Sequence, residues 1–267
     1  MIQTDSLRNG NSIYVCSNTL SFFVNEILPK INKYFVLVTG DSDSTVPIES
    51  ITHPQLNILI NNHFLIKWFA QNTLYNCNKI IQMPIGLDFH TIFSNPSHKW
   101  KTEGENSLPI YQEKILLQIR QTMRPFQERI NKIYFNFSLS NDRFKQRESA
   151  LNQIPEELIV SVNFTKRTQN WKNMTEYTFV ICPFGNGMDC HRTWEALCLG
   201  CIPILKGPKF KMFENLPVLI VNEWTHITKD LLYKTIQEFQ LQQFNYEKLT
   251  LQYWSSQINE YEIKSLG

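Results

Sequence analysis

Residues 177–205 read YTFVICPFGNGMDCHRTWEALCLGCIPIL, and their pattern decides the fold. Residues 178–182 are an apolar, β-branched run of strand type, and 183–187 supply turn residues. Asp189 then stands where an N-cap belongs, before a helix running to Leu199. Trp194, Leu197 and Cys198, at i, i+3 and i+4, form the face that packs on a sheet. Gly200 suits the left-handed position just past a helix end, and residues 201–205 begin a new strand. Pro203 predicts that this strand is an edge or irregular one. Strand, glycine turn, helix, strand is the unit of a parallel sheet with covering helices.

The charges on that helix run against its dipole. A helix N-terminus is partially positive and favours Asp or Glu in its first turn, yet here it carries His191 and Arg192. The arrangement costs a few tenths of a kcal/mol alone and becomes favourable once an anion sits at the junction. A phosphate or diphosphate fits, held by Arg192, His191 and the backbone of Gly185, Asn186 and Gly187. Glu195, one turn on, is placed to accept hydrogen bonds from ribose hydroxyls. A solvated i,i+3 pair of Arg192 with Glu195 explains the same residues without a ligand.

The strand-and-helix alternation extends both ways. Before it, strands are predicted at 12–16, 34–39, 55–60 and 79–84, with a helix over 20–31 and an apolar, aromatic run at 64–70. Residues 113–130 read as a helix broken or kinked by Pro125, joining two α/β units. The pattern restarts with strands at 132–137 and 158–164 and a helix over 144–153 between them. After the central segment come a strand at 218–221 and helices over 228–238 and 246–261. Strand ends of the second unit add Ser138, Arg143, Lys166 and Arg167 to the candidate binders, with Arg143 the second diphosphate ligand. Those of the first unit supply candidate bases: Asp41 and Asp43 foremost, then His63 and Asp88.

The block from Gly185 to Ile204 resembles the donor-binding segment of exostosin-like glycosyltransferases, above all the compact versions encoded by large algal viruses and the related xylosyl-transferring members. Weaker resemblance runs through residues 80–88 and 133–147. The resemblance implies a GT-B fold: two Rossmann-like domains, an acceptor-binding one over 1–122 and a donor-binding one over 123–245, with a C-terminal helix over 246–267 crossing back to brace the first. It implies inverting, metal-independent transfer from a UDP-sugar, first UDP-xylose, to a glycan hydroxyl. Arg192 would contact the diphosphate and Glu195 the ribose. Cellular members carry a membrane anchor and stem that are not read here.

Composition bounds the alternatives. With 42% hydrophobic residues the chain can bury a full core, and a net charge of +2 gives no nucleic-acid surface. No stretch approaches the roughly 20 apolar residues of a membrane span, and the first residues lack a signal-peptide core, so a cytoplasmic protein is expected. Cys198 and Cys201 have metal or redox spacing but no second ligand pair at zinc-ribbon distance. No cofactor is expected. Two rival readings stay open: Asp41 and Asp43 as metal ligands of a GT-A transferase, and a non-catalytic sugar- or nucleotide-binding module.

Overall fold

The computed structural model describes residues 7–264 of the 267-residue chain. Residues 1–6 of the expected first unit and 265–267 of the last helix lie outside the described residues. The chain is a mixed α/β protein with two parallel sheets, of four and five strands.

The first sheet runs in chain order: β1 (Asn11–Cys16), β2 (Phe35–Gly40), β3 (Leu65–Ala70) and β4 (Ile80–Gln82). Its central strand β2 is apolar nearly throughout and buried at every residue, as a parallel strand covered on both faces must be. One face carries α1 (Leu20–Phe22), which passes into a π-helical turn over Phe23–Ile27, and α2 (His53–Ile60). Residues 55–60 were expected as a strand, and here the sequence reading is corrected. Thr52 caps Gln55 in a full capping box, Pro54 sits where no N–H is needed, and Leu56 and Leu59 share the buried face. The strand is instead β3, the apolar run that follows.

After α3 (His90–Ser94), α4 (Pro109–Thr122) leads to the second sheet and ends before Pro125, with Met123 already extended. This sheet comprises β5 (Ile130–Phe135), β6 (Ile159–Ser161), β7 (Tyr177–Ile181), β8 (Ile202–Lys206) and β9 (Leu219–Val221), in the order β6-β5-β7-β8-β9. That is the 2-1-3-4-5 order of a doubly wound sheet, and the chain reverses direction between β5 and β7. Its helices are α5 (Gln146–Gln153), α6 (Arg167–Met174), α7 (His191–Cys198) and α8 (Lys229–Phe239). Helix α6 was not foreseen, because its polar surface hides the buried residues Arg167, Trp171 and Met174.

Pro203 does not sit on an edge strand; β8 lies between β7 and β9. The Ile204 carbonyl accepts from Cys182 N–H, so Pro203, one residue back, faces the β9 side. There β9 begins its pairing only at Ile204, and no ladder bond is lost. The last helix, α9 (Leu251–Lys264), packs on the first sheet through Ile258 and Tyr261, which meet Val36, Val38 and Phe69.

Candidate functional site

The carboxyl end of the first sheet lies against the segment between β7 and α7, where Asn72 meets Asp189 and the Gly86 carbonyl meets His191. At the reversal point of the second sheet, α5 follows β5 and α7 follows β7, so Arg147 and Arg192 flank the crevice where doubly wound sheets bind ligands. Both guanidiniums lie over the ring of Phe137, at 5.4 and 5.6 Å from its centroid. Arg147 Nη1 donates to the Ser138 carbonyl at 2.7 Å, but Arg147 Nε and Arg192 Nη1 are buried without a hydrogen-bond partner among the described residues. Burial, reinforced by the Arg192 charge, pulls Arg147 below the usual arginine range.

The glycine turn lets these groups approach. A Cβ on Gly185 would lie 3.1 Å from Arg147 Cζ and 3.3 Å from the Asn141 carbonyl. One on Gly187 would meet Asn72 Nδ2 at 3.0 Å and Asp43 Oδ1 at 3.3 Å. Asn186 between them is exposed. The turn therefore lies against Arg147 on one side and the loops after β2 and β3 on the other.

There a cavity of about 420 Å³ opens, lined by Tyr14, Asp41, Asp43, Gln71, His90 and His191 among others. Asp41 adopts a left-handed conformation (φ 58°) directly after β2. Burial, then the Asp41 charge, raises the Tyr14 phenol above its ordinary pKa. His191 Nδ1 donates to the Gly86 carbonyl at 2.8 Å. Its ring lies 5.7 Å from that of His90, whose Nδ1 is 3.2 Å from Asp88 Oδ1.

Several expected site residues have other roles. Asp189 is not the N-cap of α7; Cys190 is, without a side-chain cap bond. The Asp189 carboxylate accepts instead from Ile85 N–H at 2.7 Å and Trp194 Nε1–H at 2.9 Å, tying the segment after β4 to α7. A buried carboxylate takes the donors in reach, here one from the first half of the chain and one from α7 itself. His63 lies at the other end of the first sheet, just before β3, bonded to Tyr34 OH at 2.9 Å. A strand of six residues spans about 20 Å, which keeps it from Asp41 and Asp43. Arg143 pairs with Glu49, and Ser138 caps a short turn through Ser140 N–H.

Asp88 and Arg167 form a buried ion pair at 3.0 Å. Burial pushes Asp88 up, but the Thr91 N–H, Arg167 and His191 outweigh it and hold the carboxyl below its usual range. Glu195 remains on the partly exposed side of α7. Among the described residues no three His, Cys, Asp or Glu side chains gather as a metal-binding group, and all six cysteines are free. Arg147, Asn72, Tyr14 and His90 join the site from the structure. For Arg147 a signal existed, since with Arg143 it follows a strand and begins a helix as Arg192 does; α5 starts at Gln146, which puts Arg147 rather than Arg143 at its head. No protein-family model matches this chain, and no curated protein matches it.

Proposed function

We propose that this chain is an inverting glycosyltransferase of GT-B type, moving a sugar from a UDP-sugar, first UDP-xylose, to a glycan hydroxyl without a metal ion. One observation carries the reading: two guanidiniums lie over the same aromatic ring, that of Phe137, at the reversal point, each with a buried nitrogen that lacks a partner among the described residues. Like charges so placed are unfavourable unless an anion bridges them, and a diphosphate offers the oxygens to do so. The leaving diphosphate gains charge in the transition state, so cations fixed beside it accelerate transfer. The adjoining cavity, lined by the first half of the chain and by His191 of α7 and rich in carboxylate, hydroxyl and imidazole groups, suits an acceptor sugar.

A panel of nucleotide-sugars read by thermal shift tests this. UDP at 100 times its Kd should stabilise the protein by about 2.7 kcal/mol. Arg192→Ala should abolish that shift and lower kcat/KM by about 10²–10³-fold. No shift with any nucleoside diphosphate, or an unaltered one in the variant, would sink the reading. Binding without turnover across acceptors would leave a nucleotide-sugar-binding module.

A further inference from the structure

We propose that His191 is the general base of this transfer, an assignment that rests on the transferase reading above. A carbonyl only accepts, so the contact with Gly86 places the imidazole hydrogen on Nδ1 and leaves the lone pair of the neutral ring on Nε2. The ring lines the cavity that the acceptor would occupy, together with Asp41 and Asp43.

Position on α7 makes the pairing with Arg192 mechanical. Consecutive residues of a helix project about 100° apart, so one turn aims His191 at the cavity and Arg192 at Phe137. Base and leaving-group cation are thus held next to each other by a single rigid element, which fixes their spacing around the reacting sugar. Asp41 and Asp43, by contrast, are exposed on the loop after β2.

Behind the ring stands the means to stabilise its protonated form. Asp88 is kept ionised by Arg167 and the Thr91 N–H, interacts electrostatically with His191, and is bonded to His90, which packs on the His191 ring. The carboxylate remains ionised while imidazolium forms beside it. In the step, the acceptor oxygen forms a bond to the anomeric carbon and its proton passes to Nε2. The bond from that carbon to the diphosphate oxygen breaks, and its electron pair leaves with the nucleoside diphosphate.

His191→Asn tests the assignment, because the asparagine amide retains a donor for the Gly86 carbonyl while Nε2 is removed. Expected are a kcat lower by about 10²–10⁴-fold and a UDP affinity, measured by titration, within about threefold of the native protein's. Intact UDP binding shows that the variant is folded; should it unfold, His191→Gln is read in the same way. A kcat within threefold overturns the assignment. So does a parallel loss of UDP affinity, which makes His191 a donor ligand, or a larger kcat loss in Asp41→Asn or Asp43→Asn. A native protein that transfers no sugar overturns the transferase reading itself, and the base with it.

Discussion

Asp189 concentrates the forces that join the two sheets. It is 2% exposed, its oxygens face Ile85 N–H and Trp194 Nε1–H, and its own N–H donates to Asn72 Oδ1 at 2.8 Å. Burial outweighs these donors and pushes the carboxyl up to about 7. An acid raised in the native state binds more protons there than in the unfolded chain, whose Asp titrates near 3.9. Its stabilisation is therefore complete below about pH 4 and is lost as pH rises through about 7. The melting temperature should fall between pH 5 and pH 8, and Asp189→Asn should shrink that fall, whatever its own effect on stability. An undiminished fall in the variant would show that another group titrates. Asp189 was legible only as an acid placed before a helix; two of its partners are more than 100 positions away, and the third, Trp194, is five residues on in α7. Arg192 was legible because its oddity is local, a cation in the wrong turn of a helix.

Among the elements, the passage from α7 to β8 shows how a local signal and a distant partner combine. Gly200 takes φ 66°, as its place past the helix suggested. What the sequence did not reveal is the guanidinium of Arg129, which caps the helix through the Leu199 carbonyl at 3.0 Å and also meets Cys201 Sγ. A Cβ on Gly200 would fall 2.8 Å from Met123 Cε and 3.1 Å from Arg129 Nη2. Gly200→Ala should thus cost more than the ~1 kcal/mol of backbone strain alone, read as a lower urea midpoint at unchanged slope. A midpoint equal to that of the native protein would show that the cap is slack. Residues 55–60 mark the opposite case, where a short apolar run fits strand and helix alike. The capping box at Thr52 was present in the sequence but was outweighed by the apolar pattern that followed it.

Across the whole molecule, the ion pair of Asp88 with Arg167 joins the segment after β4 to α6, nearly 80 positions on. Arg167 also donates to Gln112 Oε1 of α4 at 2.9 Å, so one guanidinium holds three segments together. Arg167→Ala leaves a buried carboxylate uncompensated and should cost about 3–5 kcal/mol in urea unfolding, with kcat falling as the cleft loosens. A cost below 1 kcal/mol would mean that Asp88 is reached by water. What the sequence by itself determined is the α/β class, most strand positions, the helix at 191–198 and the glycine turn before it. Periodicity, caps and turn chemistry operate over a few residues, so they can be read along the chain. Only the tertiary structure decided that Arg147 rather than Arg143 stands beside Arg192, that His63 lies at the wrong end of its sheet, and that Asp189 and His191 reach across to the first half. Those contacts depend on strand order and on where each helix begins, and on burial that selects one partner among many, none of which is encoded by neighbours in sequence.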